Sequence, residues 1–279
     1  RPVEALRLMG GLRADHYDFR THATQAGFLE GSGDDSIVSP KFGAAWQISP
    51  SVEAYANWGR GFHSNDARGV TSPVDPAPGL VKGEAKEVGL RFERGGLVAT
   101  ATYWISEVDS ELIYVGDAGS VEPTGASERQ GTEFTFFWRP TRRIAIDGVW
   151  TDSKARFVDS PGQAYIPGAL ESAGELGFAY VAPSWNTGIR VRYLGEHALV
   201  EDNSRRSKSS TIVNARLAWT PGRYEIYGEW LNVFDADGKD IEYFYESYLP
   251  QIDLNGPVED LHARAVEPSM VRAGIKVAF

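Results

Sequence analysis

Hydrophobic and polar residues alternate with a period of two along most of the chain. Near the C-terminus, Val271, Ala273, Ile275 and Val277 share one face with Phe279, and Arg272, Gly274 and Lys276 share the other. No segment sustains the period of about 3.6 residues that is typical of an amphipathic helix. The pattern therefore predicts an all-β protein whose strands have one apolar and one polar face.

The connections between the predicted strands alternate between short and long. Every second connection is a tight turn, as at Ser49-Pro50-Ser51 and Arg94-Gly95-Gly96, and the others are long and polar. Short periplasmic turns and long extracellular loops are typical of outer-membrane barrels. We therefore predict an antiparallel transmembrane β-barrel of about twelve strands. The predicted strands are 3–19, 37–49, 51–62, 84–94, 96–107, 129–139, 142–154, 172–182, 185–197, 210–220, 222–234 and 266–279.

A membrane barrel and a soluble β-sandwich would use the two faces differently. In a barrel the polar face lines the lumen, because Arg or Lys facing mid-bilayer lipid costs about 2–4 kcal/mol. The residues expected there are Glu53, Asn57, Glu87, Arg91, Glu133, Asp147, Arg190, Arg192, Asn214, Arg216, Glu225 and Glu229. The tryptophans near strand ends are then expected to form interfacial girdles, and in a sandwich they would instead pack the core. They are Trp46, Trp58, Trp104, Trp138, Trp150, Trp185, Trp219 and Trp230.

Composition narrows the range of partners. The 28 basic and 38 acidic residues give a formal net charge of −10, which argues against nucleic acid and suits a cationic or metal-bearing ligand. The chain has no Cys, as fits an oxidising compartment. No apolar run approaches the roughly 20 residues of a membrane helix, so a membrane crossing would use strands. Arg1-Pro2 is not followed by a signal-peptide pattern, and we expect a processed chain or a fragment.

Several segments resemble, in the same order, the motifs of TonB-dependent receptors. Ser39-Pro40-Lys41-Phe42-Gly43 and the segment from Val52 to Phe62 are similar to the family's "SPK" and "lYanyg.GF" sequences. Trp230-Leu231-Asn232-Val233-Phe234-Asp235 is similar to its "NlFD" motif. Further similar segments begin at Gly83, Gln130 and Glu267.

This resemblance implies an incomplete receptor barrel. Family members carry about 22 strands and an N-terminal plug domain, so residues 1–279 would be the C-terminal half of the barrel, with the plug absent. The implied function is energised uptake of a scarce nutrient, such as a ferric siderophore or cobalamin, across the outer membrane of a Gram-negative bacterium. The implied partners are the TonB energy complex acting through the plug, outer-membrane lipid and a small-molecule ligand. Neither an enzymatic activity nor a cofactor is expected.

Two loop segments are candidate ligand sites. His63, Asn65, Asp66 and Arg68 place an imidazole, an amide, a carboxylate and a guanidinium within a few residues, a set that can contact a ferric chelate. Alternatively, the Asn and Asp cap the base of a loop. In the last long loop, Tyr243 and Tyr245 belong to an aromatic run that either stacks a flat ligand or packs against its neighbours.

No metal site is predicted. The run Asp235-Ala236-Asp237-Gly238-Lys239-Asp240 has three carboxylates, but its spacing differs from that of an EF-hand loop. Cysteine ligands for zinc are absent because the chain has no Cys.

The C-terminal Phe279 resembles the signal that the barrel-assembly machinery reads in outer-membrane proteins. We expect Phe279→Asp, or deletion of Phe279, to lower the outer-membrane yield in a membrane-fractionation assay. The same residues of the last strand also face lipid in the predicted barrel, so both roles are compatible.

Two alternative functions stay open at this point. One is a complete passive porin of about twelve strands, which has no plug and no energy coupling. The other is an outer-membrane hydrolase, which would require His63, His197 or His262 to meet an activated Ser or a carboxylate at the extracellular rim.

Overall fold

The chain is folded almost entirely into antiparallel strands. The computed structural model describes residues 5–23, 30–73, 76–110, 112–115, 120–123, 125–158, 160, 162, 164–249, 251 and 255–278. The strands are β1 (Leu6–Thr21), β2 (Gly31–Ser49), β3 (Val52–Ser64), β4 (Leu80–Arg94), β5 (Leu97–Val108), β6 (Leu112–Val115), β7 (Ser120–Pro123), β8 (Ser127–Trp138), β9 (Ile144–Phe157), β10 (Ser172–Val181), β11 (Trp185–Leu194), β12 (Ser210–Trp219), β13 (Tyr224–Leu231), β14 (Lys239–Ser247), β15 (Val258–Ala265) and β16 (Met270–Val277). A four-residue helix, α1 (Ala67–Val70), follows β3.

Twelve of these strands form one sheet in the order β1-β2-β3-β4-β5-β8-β9-β10-β11-β12-β13-β16. These are the twelve strands predicted from the alternating pattern, with ends shifted by a few residues. Within the described residues β1 and β16 are the two edges of an open sheet. None of the described helical segments is long or apolar enough to cross a membrane.

Two hairpins inside long connections were not predicted. β6 pairs with β7, and β14 pairs with β15 through a register running from Lys239 opposite Ala265 to Ser247 opposite Val258. Neither hairpin joins the main sheet. The long connections are therefore partly ordered structures rather than plain loops.

The register confirms that the predicted polar row lies on one face of the sheet. Glu53 lies opposite Arg91, and Asn57 lies opposite Glu87. The other face is apolar and strongly exposed, as at Leu8 and Val271, whose relative exposures are 62% and 71%. An exposed apolar surface of this extent is typical of a lipid-facing barrel wall.

One tryptophan departs from the predicted girdle. Trp104 lies opposite Glu87 and Gly131, so it belongs to the polar face, and the prediction of an interfacial position is wrong. A Cβ atom added at Gly131 would lie 2.9 Å from the Trp104 ring, which shows that the indole lies over this glycine. The other seven tryptophans share the apolar face.

A small hydrophobic cluster closes the long-loop end of the first strands. Phe19, Ile37 and Leu80 are buried there, and α1 contributes Ala67 and Val70. The segment between β3 and β4 is thereby packed onto the β1–β2 hairpin, and this packing positions the first candidate site.

Candidate functional site

The first candidate segment orders the loop between β3 and β4. The Asp66 side chain caps α1, because its Oδ1 accepts the Arg68 backbone N–H at 2.8 Å. The Arg68 guanidinium donates to both carboxylate oxygens of Asp66 at 2.9 Å. The Arg68 side chain, followed by the Arg68 amide, holds the pKa of Asp66 below its ordinary value. Both side chains remain largely exposed, so the pair lies at the loop surface.

Asn65 closes the base of the same loop. It is buried, its backbone N–H donates to the Gly79 carbonyl at 3.0 Å, and its Nδ2 donates to the Pro78 carbonyl at 2.8 Å. Nearby, His63 Nε2 is buried and has no hydrogen-bond partner within the described part of the chain. The local geometry thus gives Asn65 and Asp66 the capping role that was the alternative interpretation of this segment. His63 lines a hollow of about 300 Å³ beside β4.

The second candidate segment is the β14–β15 hairpin. The Tyr245 ring stacks on His262 with a centroid separation of 3.9 Å and an interplanar angle of 12°. The Arg205 guanidinium lies over the Phe244 ring at 5.2 Å. Tyr243 lies directly opposite His262 and is 44% exposed. The aromatic run therefore packs partly within the hairpin and partly presents a ring to solvent.

An ion pair connects this hairpin to the barrel wall. Arg192 Nη2, on the polar face of β11, donates to Asp240 Oδ1 at 2.7 Å. A hollow of about 240 Å³ lies at this junction, and its lining combines the Tyr243 ring with groups of both charges. The other titratable groups that line it are His197, Lys208, Lys239, Asp240 and Glu242. The hollow thus combines an aromatic ring with two lysines and two carboxylates, one of which is paired with Arg192.

The acidic run at the start of this loop is engaged by protein partners. Asp235 accepts the Ser269 backbone N–H at 2.8 Å, Asp237 pairs with Lys239 at 3.3 Å, and Asp240 pairs with Arg192. Across the described ranges no group of three or more His, Asp or Glu side chains is arranged to hold a metal ion.

The polar face carries ionic networks whose pairings were not predicted, although their residues apart from Glu175 were expected on this face. Arg190 contacts Asp147 at 3.1 Å and also binds Glu175, linking β9, β10 and β11. A second network links β12, β13 and β16 through Arg216, which contacts Glu225 at 2.8 Å and Glu229 at 3.3 Å. Arg272 and Lys276 on β16 complete it, at 2.5 Å from Glu229 and 3.2 Å from Glu225. A polar wall of this kind can line a water-filled lumen, or it can form hydrogen bonds with a domain that occupies the lumen.

The three histidines of the hydrolase hypothesis lie in separate surroundings. His197 Nδ1 lies 2.8 Å from Ser207 Oγ, but this hydroxyl is buried and also accepts the His197 backbone N–H at 2.9 Å. His262 stacks on Tyr245, and His63 lies at the end of β3. The His197–Ser207 contact is therefore a turn contact rather than an exposed nucleophile with its base. Phe279, the predicted assembly signal, lies outside the described residues.

One family model and several solved structures are similar to this chain. A family model described as "TonB dependent receptor-like, beta-barrel" matches residues 2–233. The ferric yersiniabactin uptake receptor FyuA from Yersinia pestis superposes with a TM-score of 0.76 at 18% identity, over 98% of this chain and 43% of that one. The siderophore receptor PiuA from Acinetobacter baumannii gives 0.73 at 14% identity, over 97% and 40%. The copper transporter OprC gives 0.67 at 18% identity, over 84% and 40%. The chain thus spans about two fifths of the length of these structures.

Proposed function

The chain belongs to the TonB-dependent receptor family, and from this premise we propose that it forms part of the wall of an outer-membrane receptor for energised nutrient uptake. The observation that carries the proposal is the family match over residues 2–233 together with a twelve-stranded sheet whose apolar face is exposed. An exposed apolar face needs lipid, and a polar face with ionic networks suits a lumen. The location we propose is the outer membrane of a Gram-negative bacterium.

The ligand that we propose is a metal chelate, such as a ferric siderophore. Lys208 and Lys239 line the hollow beside the β14–β15 hairpin together with Tyr243. Asp240 and Glu242 also line it, with Asp240 held by Arg192 and Lys239 paired with Asp237, so Lys208 is the lysine without an ion pair in the described ranges. Lysine ammonium groups attract the anionic oxygens of a chelate, and a tyrosine ring can stack on its flat parts. FyuA and PiuA are siderophore receptors and OprC is a copper transporter, which supports metal-bearing ligands as a class.

We propose different roles for the two predicted ligand segments. Tyr243 and Tyr245 belong to the proposed contact surface, with Tyr245 held in place by its stack on His262. In the other segment, Asn65 and Asp66 order the loop. Arg68 and His63 are then the side chains of that segment left to meet a ligand, Arg68 because it is exposed and His63 because it lines a hollow.

The partners of the proposed receptor follow from the same function. Energised uptake requires a plug domain and the TonB energy complex, and folding into the membrane requires the barrel-assembly machinery. The polar face would contact the plug through the Arg190 and Arg216 networks. Phe279 stays a proposed assembly signal, to be tested with Phe279→Asp.

Uptake by cells tests the proposed function directly. Cells expressing the protein are supplied with radiolabelled ferric catecholate, ferric hydroxamate, copper or cobalamin, with and without a protonophore. Saturable uptake of a ferric chelate that the protonophore abolishes is the expected result. Tyr243→Ala should raise the half-saturation concentration about threefold to tenfold, the range of one aromatic contact. The matched control is Tyr224→Ala, at the opposite end of the barrel.

Two outcomes would contradict the proposal. Uptake that proceeds equally well with the protonophore would indicate a passive porin. Uptake of none of the four ligands, with the protein correctly inserted in the outer membrane, would exclude the proposed ligand class.

A further inference from the structure

The short connections of the sheet have an unusual charge composition. Together they contain five arginines and no acidic residue, although the whole chain has a net charge of −10. By contrast, the last long connection, 232–269, carries nine acidic and two basic residues. The short connections are 49–51, 94–96, 139–143, 182–184 and 220–223. We call their arginines the arginine rim: Arg94, Arg139, Arg142, Arg143 and Arg223.

The side chains of the arginine rim are exposed and lack carboxylate partners. All five are exposed, and none forms an ion pair with any described residue. Slightly deeper in the strands the situation differs, since Arg91 pairs with Glu93 at 3.0 Å. Arg139 lies 5.6 Å from the Phe137 ring centroid and Arg223 lies 5.4 Å from that of Tyr224. Phe137 lies opposite Asp147, so its ring supports Arg139 on the polar face, whereas Tyr224 lies opposite Val277 and supports Arg223 on the apolar face. Neither ring compensates the guanidinium charge.

Four of the five arginines lie on two adjacent turns. The Arg139 backbone N–H donates to the Gly96 carbonyl at 2.9 Å, which brings the β4–β5 and β8–β9 turns side by side. In the register Arg94 lies opposite Leu97, which in turn lies opposite Trp138. Arg94 therefore belongs to the apolar, lipid-facing side of the sheet at its short-turn end.

Tryptophans mark this end of the sheet as a membrane interface. Trp138, Trp185 and Trp219 each lie one residue from a short connection and are exposed on the apolar face. Trp185 and Trp219 stack with a centroid separation of 5.9 Å. Indole rings concentrate at the depth of lipid headgroups. Arg139 directly follows Trp138, and the other rim arginines lie within or beside the same short connections. The arginine rim is therefore placed where lipid phosphates lie.

We propose that the arginine rim binds the phosphate groups of anionic phospholipids in the periplasmic leaflet. Guanidinium groups bind phosphate oxygens in a bidentate manner, and arginines without carboxylate partners are available for this contact. Each basic residue near an anionic membrane surface adds about 1 kcal/mol of attraction, or about fivefold in affinity. The inference rests on the membrane orientation that the proposed function assumes. Its consequence is that lipid phosphates fix the depth of the barrel at the short-turn side.

Lipid binding by the native chain and a rim variant tests this site. The full chain is purified from outer membranes in detergent, delipidated, and titrated with phosphatidylglycerol or phosphatidylethanolamine while native mass spectrometry counts bound lipid. The variant carries Arg94→Gln, Arg139→Gln, Arg142→Gln and Arg143→Gln. We expect its affinity for phosphatidylglycerol to fall at least about tenfold. The native chain should prefer phosphatidylglycerol to phosphatidylethanolamine.

A matched variant controls for the change in net charge. It carries Arg20→Gln, Lys82→Gln, Lys154→Gln and Arg264→Gln, four exposed residues toward the long-loop end without an ion pair in the described ranges. Its affinity for phosphatidylglycerol should stay within about twofold of the native value. If the rim variant fails the heat-modifiability test for a folded barrel, Arg94→Gln and Arg142→Gln are tested singly, each with an expected loss of up to about fivefold.

Three results would overturn the proposal. Unchanged phosphatidylglycerol binding in the folded rim variants would exclude the site. Displacement of the lipid by inorganic phosphate at equal concentration would identify a free-phosphate site instead. An equal affinity for both lipids would show that the site does not select anionic lipid. Uptake assays of the rim variant separate this inference from the proposed function. If the rim variant still takes up the ligand and its lipid binding is unaltered, only the lipid site is contradicted.

Discussion

Asn232, a single residue of the "NlFD"-like motif, joins both ends of the last long connection. It is only 3% exposed, and its Nδ2 donates to the carbonyls of Ala236 and Glu267 at 3.0 and 3.1 Å. Its Oδ1 accepts the Ala236 N–H, and its own N–H donates to Asn214 Oδ1, both at 2.9 Å. Its φ of 46° is a left-handed conformation that Asn tolerates better than most residues. The motif therefore has a structural explanation that requires no ligand.

Substitution of Asn232 should separate hydrogen bonding from backbone strain. We expect Asn232→Gly, which tolerates the positive φ, to lose about 1–3 kcal/mol of unfolding free energy because buried backbone groups lose their partners. Asn232→Ala should lose about 1 kcal/mol more, since a Cβ atom is unfavourable in this conformation. Urea titration of the reconstituted barrel measures both. The control Asn255→Ala, at an exposed position, should stay within about 0.5 kcal/mol, and an equal loss there would contradict the explanation.

The Asp66 cap predicts a local dependence on pH. Hydrogen bonds from Arg68 lower the pKa of Asp66 below the ordinary value of 3.8, so ionised Asp66 stabilises the folded loop. A depressed pKa contributes stability that is fully present above pH 3.8 and is lost as the pH falls through the lower, folded-state value. Protection of the Val70 and Thr71 amides, which close α1, should therefore decrease in acid.

Hydrogen exchange of these two amides checks the prediction about Asp66. Asp66→Asn keeps an N-cap oxygen but cannot ionise, so its protection should be lower above pH 3.8 and should not change further in acid. An acid-induced loss of protection of equal size in Asp66→Asn would show that another group is responsible.

Residue types on each face were predictable, but individual contacts were not. Trp104 could have been assigned correctly, because it alternates in phase with Thr100, Thr102 and Ser106 rather than with Tyr103. The network that joins Arg216 to Glu225 and Glu229 and these to β16 depends on the register of three strands, which the pattern of one strand does not contain. The stack of Tyr245 on His262 likewise depends on how β14 and β15 align.

At the scale of elements, the twelve wall strands were predictable because each alternates over eight or more residues between turn residues. The β14–β15 hairpin also alternates, with Ile241, Tyr243 and Tyr245 in one phase, but it lies inside a long polar connection without a tight turn. Its position over the polar face follows from Arg192 and Asp240, which are 48 residues apart. Periodicity along a strand depends only on residues that are close in sequence. It therefore cannot predict contacts between residues as far apart as these two.

The Arg192–Asp240 pair should hold the β14–β15 hairpin to the wall. Arg192→Ala leaves the β11 backbone intact but removes the ion pair, which is partly exposed and worth up to about 1 kcal/mol. We expect cleavage of the hairpin connection, residues 248–257, by a non-specific protease to accelerate up to about fivefold. Digestion of intact cells followed by mass spectrometry locates the cut.

A double-mutant cycle makes the test of this pair specific. Asp240→Ala should accelerate cleavage by a similar factor, and the double variant should be no faster than either single variant. Additive acceleration would show that the two side chains act on the hairpin independently.

At the scale of the whole molecule, the two faces of the sheet define its surroundings. The apolar face exposes aliphatic and aromatic side chains across all twelve strands, and the polar face concentrates the ion pairs. In water this arrangement would leave a large apolar area exposed, which monomeric soluble proteins avoid. The arginine rim lies at the short-turn end of the sheet and the acidic last connection lies at the other end. The two ends of the wall therefore differ in charge, as its two faces differ in polarity.

Introducing an arginine at one position on each face tests this assignment. Leu90 is exposed on the apolar face of β4, between the exposed Val88 and Phe92, and Thr100 lies opposite Arg91 on the polar face of β5. In a lipid-facing wall, Leu90→Arg should destabilise the barrel by about 2–4 kcal/mol near the bilayer midplane, and Thr100→Arg should cost at most about 1 kcal/mol. Urea titration in lipid vesicles measures both, and heat modifiability confirms insertion. If the two arginines were equally tolerated, or Thr100→Arg were the more damaging, the apolar face would not be the lipid-facing one, and the membrane orientation assumed for the receptor and for the arginine rim would be wrong.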